Sequence, residues 1–128
     1  MKIHVKKVAT SAEDIIIDFT SEYGYAEAFW GTRPMPKAKV DYDVELDITD
    51  ELAWGRDVKP STDKKFSIVM QKDDIYITGI LEKIYKGGMA DFRLGKNLIQ
   101  LELEGKNIPT GGFVTIKTAS IEMYEANQ

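Results

Sequence analysis

The chain has 128 residues, of which 43% are apolar and 30% charged, enough for one domain with a packed core and too apolar for disorder. A net charge of −4 and a pI near 5.0 argue against the basic footprint of general nucleic-acid binders and against an anionic membrane surface. No cysteine is present, which removes disulfides, thiolate nucleophiles and cysteine-based zinc sites.

The first residues, MKIHVKKVATSAEDII, lack the apolar core of a signal peptide. No stretch approaches the roughly 18–20 apolar residues that span a bilayer. One cytoplasmic domain over residues 1–128 is expected, with no membrane association. Lys2–Val8 reads as a strand, with Ile3 and Val5 on one side and His4 and Lys6 on the other. After the polar stretch Thr10–Asp14, Ile15–Phe19 reads as a second, β-branched strand. Thr20-Ser21-Glu22 turns the chain into Tyr23–Gly31, where Gly24, Ala26, Ala28 and Trp30 alternate with Tyr23, Tyr25, Glu27 and Phe29. Ala and Glu favour a helix there, but Gly24 and Gly31 bound it too tightly, and a strand is expected. Arg33-Pro34-Met35-Pro36 is a loop, because each proline removes a donor and extends its predecessor.

The next stretch, VDYDVELD over Val40–Asp47, alternates without a fault. Val40, Tyr42, Val44, Leu46 and Ile48 fall on one side; Asp41, Asp43, Glu45 and Asp47 fall on the other. This is the pleat of a strand with a row of four carboxylates toward water. The chain's excess acid is local: residues 1–64 carry 13 acidic and 9 basic side chains, residues 65–128 carry 8 of each. No lysine or arginine interrupts the run between Lys39 and Arg56.

Asp50-Glu51-Leu52 reads as a turn, Ala53–Val58 as a short edge segment, and Lys59–Lys65 as a polar loop. Beyond these lies a meander. Phe66–Gln71 is joined by Lys72-Asp73-Asp74 to Ile75–Tyr85. Hairpin turns at Gly87-Gly88 and Gly95-Lys96-Asn97 flank Met89–Leu94 and lead into Leu98–Glu104. Gly105–Gly112 is a loop, and Phe113–Glu125 closes the chain. Two of these strands change parity: Ile75 and Ile77 give way to Ile80 and Ile84 across Gly79, and Val114 and Ile116 to Ile121 and Met123 near Ala119. A bulge or glycine kink at each place absorbs such a slip and bends the strand. The expected fold is all-β, a single small antiparallel barrel or rolled sheet of the oligonucleotide-binding type or a related one, with little or no helix. Val44, Leu46, Ile77, Ile80, Leu101 and Ile116 are expected in its core.

Catalysis has little to work with. His4 is the only histidine, so neither a Ser-His pair nor a histidine metal cluster can be assembled. Four acids on one strand face match the spacing of glycosidase carboxylates, but such enzymes place them across a cleft with one desolvated. The glycine-bearing loop that wraps calcium is absent. No enzyme activity, metal or cofactor is expected. Two readings of the row remain, a solvated outer face or a surface that docks a basic protein. Basic and aromatic residues interleave once, at Lys83, Tyr85, Lys86, Phe92, Arg93 and Lys96. On a small barrel that patch could stack bases and hold phosphates, the alternative binding site. Glu82 and Asp91 dilute it, and nucleic acid is the less favoured partner.

SEYGYAEAFWG, VDYDVELDI followed by AWGRDV, and the ending FVTIKTASIEMYE together resemble a family of small bacterial cytoplasmic β proteins. The matching positions are Tyr42, Val44, Glu45, Leu46, Ile48, Trp54, Gly55, Ile121, Met123 and Tyr124. Members of similar size and acidity resemble immunity proteins, so the resemblance implies a partner of toxin type, bound and blocked. It implies no catalytic residue.

Overall fold

A computed structural model describes residues 1–126 and contains no helix among them. The strands are β1 (Lys2–Ser11), β2 (Asp14–Ser21), β3 (Gly24–Trp30), β4 (Asp41–Asp47), β5 (Glu51–Ala53) and β6 (Val58–Pro60) in the first half. The second half holds β7 (Ser67–Gln71), β8 (Asp74–Ile84), β9 (Met89–Leu94), β10 (Asn97–Glu104), β11 (Phe113–Thr118) and β12 (Glu122–Glu125).

Five strands close a barrel in the order β1–β2–β3–β12–β4 and back to β1. Every pairing in it is antiparallel except β3 with β12, which is parallel. The remaining strands continue the same sheet and roll up in the order β6–β11–β8–β9–β10–β5, with β7 alongside β8. Its two end strands are adjacent in sequence and meet through the Trp54–Val58 bridge. β8 is long enough to serve both edges: β11 lies along one, and β7 then β9 lie along the other. A single parallel pairing, Gly24 with Ile68, joins β3 of the barrel to β7.

Alternation explains what fills the interior. Ile3, Val5, Ile17, Phe19, Val44 and Met123 point inward from the barrel strands, and Ile77, Leu81, Phe92, Leu101 and Ile116 from the rolled sheet, as one continuous core. Of the expected core residues, Val44, Ile77, Leu101 and Ile116 are buried, whereas Leu46 and Ile80 are only half-buried. The parity of β8 accounts for Ile80. Its inward set is Ile75, Ile77, Gly79 and Leu81, and the register shift against β9 falls between Leu81 and Lys83, not at Gly79. Gly79 serves a different purpose, close approach. A Cβ there would lie 2.4 Å from the Arg93 carbonyl oxygen and 2.6 Å from Cζ of Phe92.

Near Ala119 the expected slip is a change of neighbours. The chain leaves β11 at Thr118, in the rolled sheet, and begins β12 at Glu122, in the barrel. Two features lie outside the sequence reading. β1 carries a bulge between Val5 and Lys7, and Ala12-Glu13 is the hairpin turn into β2, with Ala12 at a φ of 54°.

Candidate functional site

β4 presents its carboxylates outward as the alternation requires, with Asp41, Asp43 and Glu45 exposed and Asp47 half-buried. Its neighbours divide the row in two. On one side β1 places Lys2 opposite Asp43 and His4 opposite Asp41. The His4 Nδ1 donates to Asp41 Oδ1 at 2.7 Å, and Lys2 Nζ lies 3.7 Å from Asp41 Oδ2. The hydrogen bond from His4, with the nearby Lys2 charge, holds the Asp41 carboxyl below its usual range. Asp43 forms no ion pair among the described residues, but Asp41, at the end of the row, is paired within the protein.

The other end is not. β12 sets Tyr124 opposite Glu45 and Glu122 opposite Asp47, which adds a carboxylate where the row already has two. No ion pair forms at Glu45, Asp47 or Glu122 among the described residues. The Tyr124 hydroxyl donates to the Glu122 carboxylate. That hydrogen bond, with burial and the charges of Glu122 and Asp47, pushes the Tyr124 phenol up to about 12. Its ring lies across Gly31, where a Cβ would come within 2.4 Å of Tyr124 Cε1.

Ionisation of Tyr124 is therefore expected to come late. An unfolded tyrosine ionises near 10, so the neutral phenol contributes stability that is whole below about pH 10 and is lost as pH rises toward 12. Ultraviolet titration of the six tyrosines should show a latest ionisation that Tyr124→Phe removes. If Tyr124→Phe removes an ordinary ionisation instead, the bond to Glu122 is not held in solution.

The uncompensated acids border a groove of about 600 Å³ between β4 and the start of β10. Met1, Glu45, Leu46, Asp47 and Tyr124 line one side, and Leu94, Lys96, Leu98, Ile99 and Gln100 the other. Leu98 is 60% exposed, the most exposed of the large apolar side chains described. It lies on the outward face of β10, whose inward face carries Ile99, Leu101 and Leu103.

The alternative patch does not come together as a ligand platform. Phe92 is 0% exposed, so its ring cannot stack on a base. The alternation of β9 turns Ala90, Phe92 and Leu94 inward, and the parity of Phe92 was the missing information. Arg93 is engaged internally. It donates through Nη1 to the Gly95 carbonyl at 2.8 Å, pairs with Glu82 and lies 5.4 Å over the Phe66 ring. Lys83 covers the Tyr85 ring at 4.8 Å. The Tyr85 hydroxyl donates to Asp91 Oδ2 at 2.7 Å, which raises its pKa. Lys86 and Lys96 remain exposed, but Lys96 belongs to the groove rather than to a common surface with Lys86.

Trp30 is buried and Trp54 half-buried. Among the described residues no group of three His, Cys, Asp or Glu side chains is arranged to hold a metal ion. Among the described residues no helix is long and apolar enough to cross a membrane. Sequence reasoning missed Lys2 and His4 as partners of Asp41, and it missed Glu122, Tyr124 and Leu98 as parts of the site. Lys2 and His4 do share one face of an alternating strand, a visible signal, but their position beside β4 is not. No protein-family model, curated protein or solved structure matches this chain.

Proposed function

We propose that this chain is a non-enzymatic bacterial cytoplasmic protein that docks a basic protein, a toxin it neutralises, on the free end of its acidic strand. One observation carries the reading. Asp41 is paired with Lys2 and hydrogen-bonded to His4, whereas Glu45, Asp47 and Glu122 form no ion pair among the described residues, and Glu45 and Asp47 border a groove that exposes Leu98. A face kept only for solubility carries charges of both signs. Here β4 carries acids alone. The absence of cysteine and the resemblance to immunity proteins support the same assignment. The nucleic-acid reading loses one of its two aromatic residues with the burial of Phe92, and Lys83 covers the other, Tyr85.

Complementary charge acts mainly on encounter, and salt weakens it as the Debye length falls below about 10 Å. Replacing Glu45 by Gln and Asp47 by Asn together should leave folding intact. The same pair should slow association with a lysine-rich peptide roughly tenfold at low salt, with the difference shrinking as salt rises. Asp41→Asn should change that rate little, because His4 and Lys2 already satisfy Asp41. Stopped-flow measurement across salt concentrations checks both. An association rate indifferent to salt and to the double change would make the row a solvated face.

A further inference from the structure

The barrel and the rolled strands part beside β3. β7 holds β3 at one position, Gly24 with Ile68, and β12 holds it only from Phe29 onward. Between these two anchors β3 runs past Glu27 and Ala28 with no ladder on that edge. The third side is the crossing from β11 to β12, fixed where the Phe29 N–H bonds the Ile121 carbonyl at 2.9 Å. The diverging chain segments enclose a pocket of about 170 Å³.

The pocket reaches down to the core. Ala28, Ile75 and Ile121 line it and are at most 3% exposed. Half-buried Ile16, Phe29 and Met70 complete the apolar lining, and the unbranched Met70 adapts to what it touches. The polar lining comes from Glu27, Asp73 and Ser120. Neither carboxylate forms an ion pair among the described residues. No Lys or Arg among those residues lines the pocket. Lys72, beside Asp73 in the turn, is exposed and is not part of the lining.

This combination selects a ligand. A cavity of about 150 Å³ holds a group the size of benzene, so this one admits a single side chain or its equivalent. It is too small for a nucleotide or cofactor, whose sites begin at about 300 Å³. Apolar walls favour a hydrocarbon stem. Carboxylates without counter-ions favour a cation over an anion or a neutral polar head. A primary alkylammonium of about four carbons has both parts, an apolar stem and a charged tip.

From this geometry we propose that the pocket between β3, β7 and β12 binds an alkylammonium group. Its stem lies on Ala28, Ile75 and Ile121, and its cation faces Glu27 and Asp73. The group comes either from a free amine or from a lysine side chain of a partner protein. The site shares no lining residue with the β4 groove. It therefore stands or falls independently of the docking function.

The test titrates the full chain with n-butylamine at constant pH and ionic strength, with n-butanol and butyrate as neutral and anionic comparators. Butylammonium should shift the amide and methyl signals of Ala28, Met70 and Ile121 saturably. Butanol and butyrate should bind at least roughly tenfold more weakly, the scale of one charge-assisted contact. Glu27→Gln combined with Asp73→Asn should weaken butylammonium by a similar factor and leave butanol unchanged. Asp73 is an exposed turn residue, so Asp73→Asn alone still decides if the pair disturbs folding, with a smaller loss in the same direction. Nα-acetyl-lysine N-methylamide then separates the sources. Binding close to that of butylamine assigns a partner's side chain, and exclusion of the capped residue assigns a free amine. Butanol binding as tightly as butylamine, or variants that change nothing, overturns the cation site. No saturable shift at Ala28, Met70 and Ile121 with butylamine overturns the pocket as a ligand site. Either failure leaves peptide docking at Glu45 and Asp47 untouched.

Discussion

Replacing Phe92 by alanine is expected to cost about 3–5 kcal/mol of folding stability. The ring is fully buried in the rolled sheet, between Leu81 of β8 and Ile99 of β10, its pairing partners. It also fills the space that Gly79 leaves by having no side chain. Truncation removes a large apolar surface and leaves a cavity that a closely paired sheet cannot collapse to fill. The denaturant midpoint should fall accordingly with little change in the slope of the transition. A Phe92→Ala protein of near-normal stability that has lost affinity for an oligonucleotide would return Phe92 to a binding surface.

Gly24→Ala is expected to be comparably severe, at about 3–5 kcal/mol, although it adds only a methyl group. Gly24 sits at a φ of 141°, and a Cβ there would lie 1.9 Å from the Ile68 carbonyl oxygen. The clash is with backbone, so no rotamer change relieves it. This is the one pairing of β3 with β7, reinforced by the Ile68 N–H bond to the Tyr23 carbonyl at 2.8 Å. Beyond lost stability, native-state hydrogen exchange should show faster exchange of the Ile68 amide. An unchanged midpoint would mean that β3 and β7 can move apart at little cost.

A good part of this architecture is legible in the residues. Period-two alternation assigns VDYDVELD and NLIQLELE to strands and names the water-facing side of each. The glycine-bearing turns at Gly87-Gly88 and Gly95-Lys96 mark β9 correctly. Alternation says which way a side chain points, however, and nothing about which strand lies alongside. Lys2 and His4 are distant from Asp41 in sequence and adjacent in space, so the row reads as unneutralised until β1 is placed beside β4.

The same limit applies to the ring of strands. The parallel pairing of β12 with β3 closes the barrel through residues far apart in the chain, and no local turn encodes it. Gly79 misleads for another reason. A glycine inside a strand is equally suited to a kink and to close packing, and only the position of Phe92 separates the two. The groove is least legible of all, because its walls come from strands far apart in the chain.

Mapping a lysine-rich peptide by backbone amide chemical shifts tests the docking site most directly. The largest shifts are expected at Glu45, Leu46, Asp47 and Glu122 together with Leu98 and Gln100, and little change at Asp41 or along Lys83–Lys86. Shifts centred on the Lys83–Lys96 hairpin, or spread evenly over the whole acidic row including Asp41, would contradict it.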